Sequence, residues 1–161
     1  MTLLAAAFLF ASAATPSPAL SAPAVRVRPV PACAAATRQE VQRALGASVD
    51  AGKLRQEAGG STCDYAGETG QISISFHHAV AALDFGTEML NLKAALPEAH
   101  LTEIPMAGVR ALLVELDQSG AQIHILRNGR DYLLVSVLGF GNAAQVRAIA
   151  ESIAQRALTR F

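Results

Sequence analysis

Three arginines, a Glu/His pair and a His-His dipeptide are the residues whose types and spacing could do chemistry here. Arg110, Arg127 and Arg130 stand at the ends of apolar runs, with Asn128-Gly129 between the last two. A two-residue turn at Asn128-Gly129 pairs Arg127 with Arg130, Ile125 with Tyr132 and Ile123 with Leu134. A four-residue turn at 117–120 pairs Leu116 with Ala121, Val114 with Ile123 and Leu112 with Ile125. One face then collects Leu112, Val114, Leu116, Ile123, Ile125, Tyr132 and Leu134, with Arg110, Arg127 and Arg130 along its margin. Guanidinium forks accept carboxylate or phosphate bidentately, so the three arginines form a candidate anion site. The plainer alternative is a solvated rim paired with Asp131 and Glu103.

The same register puts Glu115, Gln122 and His124 on the opposite face. Glu115 and His124 there could act as an acid–base pair or join a metal site with His77. The alternative is a wet sheet face, or a partner surface formed with Leu126, Leu133 and Val135. His77 and His78 point to opposite faces of a strand, so one ion cannot take both without a bulge. No Gly-x-Ser-x-Gly elbow and no His-Glu-x-x-His occurs. The sequence therefore yields no catalytic residue and implies no cofactor.

The elements that must position these residues are read from periodicity. The stretch 109–138 is a meander of three strands, and 62–78 is a hairpin in which Ile72, Ile74 and Phe76 alternate with Ser73, Ser75 and His77. A weaker strand signal lies at 53–57 and another at 100–104. Thr37-Arg38-Gln39-Glu40 is a capping box that opens a helix over 37–45, ended by Gly46. A stripe of Phe85, Met89, Leu92 and Leu96 predicts a helix over 81–96, stopped by Pro97. Asn142 caps a last helix over 142–158, with Val146, Ile149, Ile153 and Ala157 inward. The expected fold is α+β: an antiparallel sheet with about three helices packed mainly on one face.

The 161 residues carry 13 basic and 13 acidic side chains, which leaves no basic footprint for nucleic acid. The chain lacks Trp and has two Tyr, so an aromatic-lined sugar or base site is disfavoured. Residues 1–24 read as a secretory signal peptide: an apolar run over 3–14, then small residues with Ala22-Pro23-Ala24. That run is shorter than the roughly 20 residues a membrane span needs. Residues 25–36 read as an extended linker and 37–161 as a single domain. An even pair of cysteines in an exported chain, Cys33 and Cys63, favours one disulfide over a lipid anchor at Cys33 or a zinc site.

Cys33, Thr37-x-x-Glu40, Leu45-Gly46 and Cys63-x-Tyr65, with Asn128-Gly129-Arg130-Asp131-Tyr132 and a terminal amphipathic helix, resemble small exported or lipoprotein-type bacterial domains of unassigned function. The resemblance implies a disulfide-clasped α+β domain outside the cytoplasm and transfers no catalytic residue. The expectation is a non-catalytic binding domain of the cell envelope whose partner is an envelope protein or small ligand. The alternative is an envelope enzyme or metal-handling protein using His124 and Glu115, or His77.

Overall fold

Strong β-formers alternate with polar residues through most of the chain, and a single sheet uses nearly all of them. The computed structural model describes residues 31–117 and 120–161. The expected signal peptide and the first part of the linker lie outside the described residues. The strands are β1 (Lys53–Glu57), β2 (Gly60–Ala66), β3 (Gln71–His78), β4 (His100–Met106), β5 (Val109–Leu116), β6 (Gly120–Arg127) and β7 (Asp131–Leu138). They form one sheet in the order β1-β2-β3-β7-β6-β5-β4, with each adjacent pair antiparallel. Two meanders thus meet at the central β3–β7 pair.

The helices are α1 (Ala32–Ala35), α2 (Arg38–Leu45), α3 (Phe85–Ala95) and α4 (Ala143–Leu158). Of the described residues, 41% are in strands and 30% in helices. The expectation of an α+β domain with about three helices on one face is therefore overturned in favour of a mostly-β fold. Two causes are visible. The weak strand signals at 53–57 and 100–104 are full members of the sheet, and α3 lies against the opposite face from α1, α2 and α4.

The main core lies between one sheet face and α1, α2 and α4. The sheet contributes Ile72, Ile74, Phe76, Leu113, Ile123, Ile125, Leu133 and Val135, all buried. From α4 come Val146, Ala150, Ile153, Ala154 and Ala157. Removing this apolar area from water is the main driving force for the fold. Both expected caps are present: Thr37 with Glu40, and Asn142 with Gln145.

Residues 32–35, expected as part of an extended linker, form a helical turn that is part of the core. Three tertiary bonds and a covalent link hold this region. The Ser61 hydroxyl accepts from Ala32 N–H at 2.9 Å, and Tyr65 OH donates to the Ala36 carbonyl at 2.5 Å. Arg160 donates to the Ala35 carbonyl at 2.9 Å. Cys33 and Cys63 form the expected disulfide, tying α1 to β2. Gly52 lets the chain pass this clasp, because a Cβ there would meet the Cys63 sulfur and the Tyr65 ring.

The hairpin registers differ from the expected ones by one residue. Arg127 pairs with Asp131, Ile125 with Leu133 and Ile123 with Val135. Asn128 and Gly129 do take positive φ, 53° and 66°, but Arg130 joins them in a three-residue loop. On the other side Leu116 pairs with Gly120, Val114 with Gln122 and Leu112 with His124. Opposite charges, not two arginines, now face each other at the hairpin end. Leu113, Ile123, Ile125, Leu133 and Val135 gather on one face, so the slip maximises burial under α4.

Candidate functional site

Period-two alternation turns the one-residue slip into an exchange of faces. Leu112, Val114, Tyr132 and Leu134 share the face under α3 with Gln122 and His124, while Ile123 and Ile125 face α4. Each expected site residue moves accordingly.

The arginines do not converge. Arg110 is on the α3 face and holds Glu103 of β4 bidentately, Nε to Oε1 at 2.6 Å and a terminal nitrogen to Oε2 at 2.8 Å. Its guanidinium also lies 4.4 Å from the centre of the Phe85 ring. Arg127 is on the opposite face, stacked 4.5 Å over the ring of Phe161. Arg130 is exposed in the β6–β7 loop. Glu115 and His124 are likewise on opposite faces. Glu115 lies 4.0 Å from Arg147 of α4, which also bonds Glu151 at 2.9 Å. His77 is on the α3 face opposite Tyr132, and His78 bonds Asp131 at 2.8 Å from the other face. Among the described residues no three His, Cys, Asp or Glu side chains are grouped to hold a metal ion.

Two arrangements that the residue spacing did not reveal are present instead. The first is a part-buried polar chain that reaches α3. His124 is 5% exposed. Its Nδ1 lies 2.5 Å from Tyr132 OH, and its Nε2 lies 3.1 Å from Gln122 Oε1. Tyr132 in turn donates to the Glu88 carboxylate at 2.7 Å. Burial pushes the imidazole down to about 4, so it is neutral near pH 7. Burial, then the Glu88 carboxylate, holds the Tyr132 phenol above its ordinary value. Both ring nitrogens are thus engaged by neighbouring side chains. The available signal was Glu88 beside the apolar stripe of α3, three residues after Phe85.

The second arrangement is a pair of neighbouring clefts beside α2. One, of about 700 Å³, is lined by Arg38, Ser48, Asp50, Glu68, Thr69 and Phe140. The other, of about 440 Å³, continues past Thr69 and Phe140 to Ala44, Leu45, Ala148 and Ile149. Phe140 forms the shared wall because β2–β3 turn glycines make room for its ring. A Cβ on Gly67 or Gly70 would meet that ring at 2.8 and 3.0 Å. The first cleft carries charges of both signs, and the second sets Leu45, Phe140 and Ile149 beside the polar Thr69 and Gln145.

Fold and site together define a disulfide-clasped, mostly-β domain with a mixed polar and apolar groove. No family model, curated protein or solved structure matches this chain. Among the described residues no helix is long and apolar enough to cross a membrane.

Proposed function

We propose that this chain is an exported, non-catalytic binding domain of the bacterial cell envelope, and that it binds a small amphipathic ligand in the groove that Phe140 divides. The observation that carries the reading is that two neighbouring clefts share Thr69 and Phe140 as a common wall. Such a groove suits a ligand whose apolar part lies on Leu45, Phe140 and Ile149 and whose polar part meets Arg38, Asp50 and Glu68. Pockets for small molecules commonly combine an apolar lining with a few placed polar groups. The Cys33–Cys63 disulfide supports export, because such bonds persist in oxidising compartments. The resemblance to small exported bacterial domains supports the same compartment.

The test is an NMR titration of the ¹⁵N-labelled protein with octyl glucoside, decanoate and decyltrimethylammonium, each below its micelle threshold. The expected result is saturable shifts at the amides of Leu45, Thr69 and Phe140 with at least one probe. Shifts confined to the exposed Val80 and Leu90 would show detergent-like adsorption and end the proposal.

A further inference from the structure

The sheet is open, and its two edges are unlike. Among the described residues neither β1 nor β4 has an outer neighbour in the sheet. An edge strand leaves a row of backbone N–H and C=O groups that a further strand can pair with. On β4 this row is interrupted by Pro105, which has no N–H to offer. The other edge, Lys53-Leu54-Arg55-Gln56-Glu57, carries no proline, and all 5 of its residues are exposed. Leu54 is 44% exposed, although it lies opposite the fully buried Cys63.

We propose that β1 pairs antiparallel with β1 of a second copy of this chain, so that the sheet continues across a twofold axis at Arg55. The order of charges along the strand is what selects this occupant. In that register Lys53 faces the partner's Glu57, and Leu54 faces the partner's Gln56. The same two pairs recur on the other side of the axis, as an isologous interface requires. Opposite charges directly across a ladder stabilise it, and like charges oppose it. A parallel pairing in register would set Lys53 on the partner's Lys53 and Glu57 on the partner's Glu57. The strand is therefore complementary to itself in the antiparallel sense alone.

Arg55 meets its own copy on the axis, and its surroundings answer that charge within each chain. Its Nε donates to Asp64 of β2 at 2.8 Å, and Glu57 lies 3.9 Å from a terminal nitrogen. Asp64 is fixed in turn by the Ser73 hydroxyl at 2.5 Å. Lys53, Arg55 and Glu57 share one face by the period of two, and Leu54 and Gln56 share the other with Cys63. The two copies of Leu54 then lie diagonally across the axis on the α4 side, where each shields the other from water. Charges on an edge deter pairing with an unrelated strand. These charges deter a foreign strand and match a second copy.

A strand of 5 residues is a small contact, below the roughly 800 Å² per partner of a standard interface. The dimer is accordingly weak, with a dissociation constant between about 10 μM and 1 mM.

Sedimentation equilibrium at low ionic strength tests the pairing with wild type, Lys53→Glu and Glu57→Lys. Each reversal alone sets like charges across the axis twice, and association is expected to weaken at least about tenfold. In an equimolar mixture, one copy of each variant restores both opposite-charge pairs. The mixture is expected to associate within about threefold of wild type, which a folding defect in either variant would not allow. A wild type that stays monomeric up to about 1 mM overturns the proposal. So does a dimer that survives both reversals, or a mixture no stronger than its separate components. Amide exchange reads the same edge directly: protection of 53–57 is expected to rise with protein concentration. Protection independent of concentration would put another segment of the same chain on this edge and overturn the proposal.

Discussion

Glu40 and Arg160 are 120 residues apart in the chain and form its closest charge pair with α2, at 2.6 and 2.7 Å. Arg160 is the main reason the Glu40 carboxyl is drawn down to about 2. A folded value below the ordinary 4.5 means the pair stabilises fully above pH 4.5 and is lost as pH falls towards 2. Arg160 is 40% exposed along its side chain, so solvent screening keeps the loss on removing it small. Urea unfolding of Arg160→Ala is expected to show that loss at pH 7. The difference from wild type should shrink as pH falls towards 2, to what the pH-independent bond to the Ala35 carbonyl contributes; a difference that does not change with pH would place its cause in that bond and in packing. Half of this pair, Glu40, was legible as the fourth residue of a capping box. Its long-range partner was not, because nothing local marks Arg160 as returning to α2.

At the scale of elements, α3 and α4 make opposite predictions. Ile153 is fully buried under α4, so Ile153→Ala is expected to cost about 2–5 kcal/mol. Leu90 on α3 is solvent-facing, and Leu90→Ala is expected to stay within about 0.5 kcal/mol. Denaturant midpoints at constant slope would check both; a cost at Leu90 as large as at Ile153 would mean α3 is covered on its outer side. The periodicity of both helices was readable, from Phe85, Met89 and Leu92 in one and Val146 and Ile153 in the other. The side of the sheet that each covers was not. A stripe says that a helix has an apolar face, not which sheet face receives it. The hairpins were readable in the same partial way. Asn128-Gly129 identified the turn and its positive φ values, but Arg130 widened the loop by one residue and exchanged the faces. That slip separated Glu115 from His124 and dispersed Arg110, Arg127 and Arg130. It also brought His124 and Tyr132 onto one face, where Glu88 completes the part-buried chain.

For the whole molecule, the disulfide and the groove matter most. The Cys33–Cys63 bond spans 30 residues and ties the first described helix to the sheet. Replacing both cysteines by alanine is expected to lower stability by about 3–4 kcal/mol, read from equilibrium unfolding. Thiol titration of the unfolded, unreduced protein should find no free thiol; two would contradict the oxidised state. The cysteine pair was legible from its even count and the signal peptide expected before it. The groove was not, because Arg38, Thr69, Phe140 and Ile149 come from four separate parts of the chain. Only the folding of α2 and α4 against the β2–β3 turn brings them together.

The central claim is that this groove binds a ligand. Ala148 lines its apolar part and is exposed on α4, so Ala148→Arg should obstruct the groove and leave the helix intact. The decisive measurement is the dissociation constant of the best-shifting NMR probe for wild type and for this variant, with melting temperatures recorded alongside. Binding at least tenfold weaker at an unchanged melting temperature is the predicted result. Equal affinity in the two proteins would contradict it.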